Sequence, residues 1–447
     1  MALTGLDIYK QLPKENCKEC GLPTCLAFAM KVAAGQAGLD ACPRLSEEAM
    51  AALSEASAPP QRLVRLGAGA QAIEIGQETV LFRHEEKFHH PTAIALRLED
   101  TLAEQELRDR CAAFGKLKFT RVGTTICPDM IALYNASGDV GTFMSAAETI
   151  YNELGVPVVL ISDELNALAD AAKGPLSGSR PLLYHTGAAD DERLAQVAKD
   201  VDAPVCVGGD VETVAARVEA LAKNDIKEIV ITPGEVDPNE QLEFLTRTRR
   251  AALRKNFRPL GCPVLTVVTG ESDFQASLTA CVCVCKYAGI LVSNLWVPEM
   301  LLPVLTTRQN IYTDPQKPVQ VEPKIYEIGE VDQKSPLLVT TNFSLSYYSV
   351  EGEVEASRVP ARILAVDTEG TSVLTAWAAD KFNAETITKA IQASGVKEKV
   401  SHNKVIIPGH TAVLSASLAD ECGWEVLVGP KEASGIVPYL RNEWRPE

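Results

Sequence analysis

Cys17, Cys20, Cys25 and Cys42 are the residues of this sequence whose type and spacing most directly promise chemistry. Cys17-Lys18-Glu19-Cys20 makes a close ligand pair, Gly21-Leu22-Pro23 turns the chain toward Cys25, and Cys42 returns after a helix to close a cage. Four thiolates can hold a 4Fe-4S cluster with one sulfur ligand at each iron, because soft sulfur suits iron and the amides of the turn stabilise a negative cluster. The same four side chains could satisfy tetrahedral zinc. The four-residue gap between Cys20 and Cys25 and the long return to Cys42 are less typical of paired zinc knuckles. The spacing favours iron-sulfur and leaves zinc open.

The sequence holds 12 cysteines in 447 residues, too dilute for the disulfide framework of a small secreted protein. Cys281, Cys283 and Cys285 alternate with Val282 and Val284. In a strand they would share one face, and they read as small buried hydrophobes rather than ligands. Cys111, Cys127, Cys206, Cys262 and Cys422 are weaker candidates still.

A second constellation lies near the C-terminus. Thr340 and Thr341, Gly370-Thr371-Ser372, Gly409-His410-Thr411 and Ala433-Ser434-Gly435 fall where strands end and helices begin. Glycine permits close backbone approach, and hydroxyls and amides at a helix start bind carbonyls, amides or phosphate. Taken singly, each is a cap or a turn; converging, they suggest a cup for a large polar cofactor. Gly370 to Val373 do not make a dinucleotide fingerprint.

The elements that must position these residues fall into three stretches. Residues 1–58 read as a compact cofactor module, with a helix from Leu6 to Leu12, Thr24 capping a helix around Leu26 to Val32, and a further helix opening at Ser46-Glu47-Glu48. Ser57 to Gln61, with Pro59 and Pro60, reads as a linker. Ala72 to Ile75 and Val80 to Arg83 suggest a strand pair. Strand-like runs then recur at Met130 to Tyr134, Val158 to Ile161, Leu182 to Tyr184, Val205 to Val207, Glu228 to Ile231 and Leu265 to Val268. Helical patterns run from Leu98 to Cys111, Asp191 to Lys199 and Val211 to Ala222. This alternation is that of βα units and predicts a central (β/α)₈ TIM barrel within residues 59–322, with an open doubly wound sheet as the alternative. Residues 323–447 predict a small doubly wound, Rossmann-like α/β domain. Its strands would be Leu337 to Thr340, Ile363 to Asp367, Val405 to Ile407 and Glu425 to Val428, and its helices would begin near Thr371, Ala384, Thr411 and Ala433.

Composition bounds the partners. With 43 Lys and Arg against 59 Asp and Glu, the net charge of -16 gives no general attraction to nucleic acid or anionic membrane. No leader pattern and no apolar run of spanning length occur, so the expected location is the cytoplasm.

The cysteine pattern, the barrel and the cup together resemble the large (gamma) subunit of the corrinoid iron-sulfur protein of the reductive acetyl-CoA pathway, most closely over Asn16-Cys17-Lys18-Glu19-Cys20-Gly21-Leu22-Pro23-Thr24-Cys25. The resemblance implies a heterodimer with a smaller, barrel-containing subunit, and a corrinoid (cobalamin or 5-methoxybenzimidazolylcobamide) held by the C-terminal domain near the partner interface. It implies a methyl carrier, a methyltransferase component rather than a standalone catalyst. Its cobalt takes a methyl group from methyltetrahydrofolate through a separate methyltransferase and delivers it to acetyl-CoA synthase. The cluster would then pass an electron from a low-potential donor to cobalt that has lapsed to Co(II). Corrinoid contacts map onto Thr340, Ser346, Gly370, Thr371, Ser372, Val373 and Ala433. No Asp-x-His-x-x-Gly motif occurs, so neither His402 nor His410 is assigned as a cobalt ligand. The competing reading is an iron-sulfur electron carrier or scaffold whose C-terminal domain binds another cofactor.

Overall fold

The computed structural model describes residues 5–33, 36–46, 49–50, 53, 59–188, 190–314 and 316–446. The chain divides into two compact units, residues 1–118 with 127–312, and residues 119–126 with 313–447.

The first unit begins with the helices Gly5–Gln11 and Cys25–Ala33, close to the helices expected there. The helix expected at Ser46-Glu47-Glu48 lies partly outside the described residues. Pro59 is tied down: its carbonyl accepts from Arg258 Nη1 at 2.7 Å. The antiparallel hairpin Leu63–Leu66 (β1) and Ile73–Gly76 (β2) follows. Val80 to Arg83 is therefore not the second arm of the expected strand pair. It lies in a loop, where the Val80 carbonyl accepts from Arg249 Nη2 at 2.7 Å.

Eight parallel strands make the barrel. In chain order Ala93–Glu99 (β3) comes first, and the short hairpin Phe119–Arg121 (β4) and Thr124–Ile126 (β5) belongs to the second unit. Then come Met130–Tyr134 (β6), Val158–Ser162 (β7), Leu182–His185 (β8), Val205–Gly208 (β9), Ile229–Thr232 (β10), Leu265–Val268 (β11) and Ile290–Ser293 (β12). The sheet order β10-β9-β8-β7-β6-β3-β12-β11 is closed by a parallel bridge from Ile231 to Val264. This is a closed (β/α)₈ barrel rather than an open sheet. Asp139, Asp190, Asp210, Asp237 and Ser272 each accept a backbone N–H in the first turn of the following helix, so five of the βα loops end in side-chain caps. No helix among the described residues is long and apolar enough to cross a membrane.

Two readings of periodicity are corrected. Leu98 lies in β3, and the helix expected from Leu98 to Cys111 runs instead over Glu104–Lys116. A strand covered on both faces gives a continuous apolar run, which periodicity cannot tell from a helix. Cys281, Cys283 and Cys285 sit in the helix Asp273–Cys285, not in a strand, so they do not share a face. Cys283 is buried while Cys285 is exposed.

The barrel interior is filled by alternate strand residues, including Ala95, Ala132, Ile161, Tyr184, Val230 and Val267. The β1–β2 hairpin plugs its N-terminal end through Val64, Leu66 and Ile75. Arg62 N–H donates to the Gly261 carbonyl ahead of β11, and Gly67 N–H to the Arg180 carbonyl ahead of β8.

In the second unit, Ile325–Ile328 (β13), Leu337–Thr341 (β14), Ala361–Val366 (β15), Lys404–Ile407 (β16) and Glu425–Val428 (β17) form one sheet in the order β13-β15-β14-β16-β17. Only β13, at one edge, is antiparallel. One face packs Val339, Val366, Phe382, Ile387 and Leu418; the other packs Leu338, Tyr347, Ile363, Ile436 and Leu440. This is the doubly wound arrangement the sequence implies. Helix starts shift by a few residues: Val373 rather than Thr371, with single 3₁₀ segments Gly409–Leu414 and Ala433–Gly435 ahead of helices Ser415–Cys422 and Ile436–Asn442.

Gly76 is the tightest point of the plug. Its φ is +87°, and a Cβ there would stand 2.2 Å from the Arg62 carbonyl oxygen. Gly76→Ala is expected to destabilise the barrel by roughly 1–3 kcal/mol, read as a lower urea midpoint by circular dichroism.

Candidate cofactor sites

Around the N-terminal cysteines the backbone is bent into an unusual loop. Lys14, Asn16, Lys18 and Gly21 all have positive φ. The loop is locked from within: Asn16 Oδ1 accepts the Cys25 N–H at 2.8 Å, and the Asn16 N–H points at Cys25 Sγ at 3.4 Å. Thr24 Oγ1 accepts the Ala27 N–H at 3.1 Å, the cap expected from sequence, which puts Cys25 at a helix N-terminus where a thiolate is favoured. Arg44, two residues after Cys42, pairs with Glu15 at 2.6 Å and Glu19 at 2.5 Å, tying the return segment to the loop. Cys42 is buried in a small core with Ile8, Leu12, Phe28, Ala29 and Leu53, and Cys20 and Cys25 pack on its edge.

The four thiols are unbridged. Cys20, Cys25 and Cys42 border one small apolar core, and Cys17 lies in the loop that leads to it. Among the described residues no three His, Cys, Asp or Glu side chains are gathered closely enough to hold a single metal ion. Several of the other cysteines are buried. Desolvation pushes the thiols of Cys111 and Cys262 up to about 11 and that of Cys283 up to about 12, and raises Cys206 as well.

The C-terminal cup is a cleft of about 320 Å³ at the C-terminal ends of β14 and β16, where the strand order reverses direction. Its walls are largely apolar, among them Leu338, Leu345, Val350, Ile406 and Ile407. Thr340, Ser346, Val373 and Ala433 all line it, as do His410 and Lys431. Thr340 is buried, and its Oγ1 has no hydrogen-bond partner. An unpaired hydroxyl at the end of an apolar cleft is costly unless a ligand completes it, so the cleft is a candidate ligand site.

Gly370, Thr371 and Ser372 are not among the lining residues. They form the turn that leads into the helix Val373–Ala378. Gly370 has φ +70°, and a Cβ there would stand 2.5 Å from Gln320 Cγ, so its small size serves packing against the segment before β13. Thr371 Oγ1 donates to the Thr368 carbonyl at 2.7 Å, and Ser372 Oγ lies 3.0 Å from Thr375 Oγ1. His410 stands at the rim with Nε2 3.6 Å from Glu432, whereas His402 is buried elsewhere against Ser335 and Trp444.

Residues 63–440 match the family profile described as CO dehydrogenase/acetyl-CoA synthase delta subunit, and residues 12–44, which hold all four cysteines, match one described as a putative Fe-S cluster. The corrinoid/iron-sulfur protein large subunit of Moorella thermoacetica is 44% identical over 442 residues, covering 99% of each chain. The chain belongs to this large-subunit family. Acetyl-CoA decarbonylase/synthase complex gamma subunits are also similar. That of Methanothermobacter thermautotrophicus is 35% identical across 98% of this chain and 99% of its own, and that of Methanopyrus kandleri 33% across 99% and 98%.

One residue of the large-subunit cup escapes sequence reasoning. Asn342, immediately after β14 and buried, holds the turn that carries Gly370. Its Oδ1 accepts from the N–H groups of Thr368 at 3.0 Å and Gly370 at 3.1 Å and from Thr368 Oγ1 at 3.1 Å. Its Nδ2 donates to Asp367 Oδ1 and Gln320 Oε1, both at 3.1 Å. The available signal was an Asn closing Thr340-Thr341-Asn342 at a strand end, a position where a carboxamide can serve two loops at once. Asn342→Asp would set a second carboxylate against Asp367 and is expected to cost about 1–3 kcal/mol, with faster amide exchange across residues 367–371. Adding Asp367→Asn to the same chain reverses donor and acceptor and should recover most of the protection.

Proposed function

We propose that this chain is the methyl-carrying large subunit of a corrinoid iron-sulfur protein, holding a corrinoid in the cup of its second unit and a 4Fe-4S cluster on Cys17, Cys20, Cys25 and Cys42. The observation that carries the reading is the unpartnered Thr340 hydroxyl at the end of an apolar cleft on a strand-order switch. A bound corrinoid supplies a strongly nucleophilic metal able to take and give up a methyl group, and a bound cluster supplies one low-potential electron.

The chain's own residues bind and orient. Thr340 and Ser346 offer hydroxyls to peripheral amides or carbonyls, while Val373 and Ala433 shape the rim. The turn Gly370-Thr371-Ser372 acts by fixing where Val373 and its helix begin, with Asn342 holding the turn. No protein side chain is assigned a catalytic role; in this reading the chain is a component of a methyltransferase system. The working organisation is a cluster domain over residues 1–58, a barrel over 59–322 and a corrinoid domain over 323–447. The partners are the small subunit in a heterodimer, a methyltetrahydrofolate methyltransferase, acetyl-CoA synthase and a low-potential electron donor. That the relatives are themselves subunits supports such an assembly.

The deciding experiment reconstitutes the chain with its small partner under anoxic conditions and measures iron, acid-labile sulfide, cobalt and transferable methyl groups together. All four in fixed ratio are expected. Iron and sulfide without stoichiometric cobalt would instead support an electron carrier or scaffold with some other ligand in the cup. Cys20→Ala is expected to abolish stable cluster assembly, because one iron loses its thiolate, while corrinoid binding persists. Undiminished iron and sulfide in that variant would remove Cys20 from the ligand set.

A further inference from the structure

The barrel has a chamber of its own, within the first unit and unrelated to the cup. At the C-terminal ends of the strands a cavity of about 280 Å³ is lined by Arg97, Tyr134, Tyr184, Thr186 and Glu235 over an apolar floor of Ile161, Val267 and Val292. Small residues below it, Ala95 and Ala132, keep the strands' upper layer from filling the space. Gly208 and Gly234 leave the Tyr184 hydroxyl uncrowded, since a Cβ at either would still stand 3.6 and 3.9 Å from it. This is the end of a (β/α)₈ barrel at which ligands are held.

Arg97 is the fixed element of the chamber. Its side chain is only 15% exposed, its guanidinium lies 4.6 Å from the centre of the Tyr134 ring, and its carbonyl is held by Trp296 Nε1 at 3.1 Å. The guanidinium is incompletely used. Nη1 meets Glu235 Oε1 at 2.5 Å, Nη2 has only Glu99 Oε1 at 3.4 Å, and Nε is buried with no partner. Glu235 is the opposite kind of residue: its side chain is 54% exposed, on the loop that follows β10. A buried, pinned guanidinium capped by a carboxylate that can swing into water is the arrangement of an anion site occupied by a tethered substitute.

We infer that the barrel mouth is a second ligand site, which takes a small monocarboxylate with an apolar body, Arg97 binding the carboxylate and Glu235 acting as a displaceable occupant. An incoming carboxylate replaces the Glu235 carboxylate like for like, accepting from Nη1 and Nη2 as an end-on bidentate pair. Its apolar body lies on Ile161, Val267 and Val292, and Glu235 regains hydration in solvent. A salt bridge that merely closes the barrel predicts none of this.

The two residues predict effects of opposite sign. With benzoate as the probe and benzamide as its neutral counterpart, binding to the anoxically purified full-length chain is followed by saturation-transfer NMR. Glu235→Gln removes the competing carboxylate and should tighten benzoate about fivefold or more, whereas Arg97→Met should weaken it by at least about tenfold, the scale of one charge-assisted bidentate contact. Benzamide should bind more weakly than benzoate and respond little to either change. Benzoate bound only by the Glu235→Gln chain supports the site. No binding to either the wild-type or the Glu235→Gln chain overturns it, as does unchanged affinity in a folded Arg97→Met chain. Should Arg97→Met fail to fold, a Glu235→Gln chain that binds benzoate no more tightly than wild type overturns it alone.

Discussion

A parallel strand is stable only with both faces covered, and that constraint governs nearly everything in this chain. Both large sheets are parallel except for β13, and the strands from β6 to β12 are buried almost throughout. Such strands have no face left for chemistry. Polar function is pushed to the loops beyond the strands' C-terminal ends, where backbone amides and short side chains are free to meet a ligand. The Thr340 cleft and the Arg97 chamber both lie there, one where an open sheet reverses its strand order and the other in the mouth of a closed one. The opposite end of the barrel is sealed by the β1–β2 hairpin, whose glycine and carbonyl contacts are about packing alone.

The same constraint explains what could be read from sequence. Several strands were legible from their apolar runs: Met130–Tyr134, Leu265–Val268 and Glu425–Val428 fall where the pattern puts them. The first barrel strand was not legible, because Ala93 to Leu96 is apolar on both faces and the run passes through Leu98 toward the amphipathic helix that follows. Alternation misled at Cys281, Cys283 and Cys285. A run of small apolar residues carries no period, and here the helix wins through the Ser272 cap, whose Oγ accepts the Gln275 N–H at 3.3 Å. The loop residues around the cup were legible as a cluster at strand ends. Their division of labour was not, because whether Gly370 faces a ligand or Gln320 depends on a segment some fifty residues earlier in the chain.

Twelve cysteines pose a sorting problem that spacing alone solves only in part. Burial narrows it. Cys206, Cys262 and Cys283 are enclosed in the barrel unit, where a thiolate would be desolvated without compensation, so they serve as small apolar fillers. Cys17, Cys20 and Cys25 keep partial access to water, and the N–H groups and helix start around them suit a charged sulfur. Cys42, the fourth of the set, is buried, so spacing rather than exposure joins it to them.

The segment that holds these four also has the smallest core. Among the described residues the N-terminal cluster buries Ile8, Leu12, Phe28, Ala29, Cys42 and Leu53, too little apolar surface to offset the entropy of ordering a loop with several residues in the left-handed region. Small modules of this kind are completed by covalent or metal cross-links. The Asn16 carboxamide, the Thr24 cap and the Arg44 pairs set the loop's direction, but each is exposed and worth little alone. Cluster binding in this reading is therefore also folding: the free energy of ligation goes into fixing the strained loop, and the four thiolates are scaffold and ligand at once. The cup differs in kind, because β14 to β17 and their helices enclose two apolar layers without any ligand. On the proposed function, one chain combines a module completed by its cofactor with a domain whose shape precedes its cofactor.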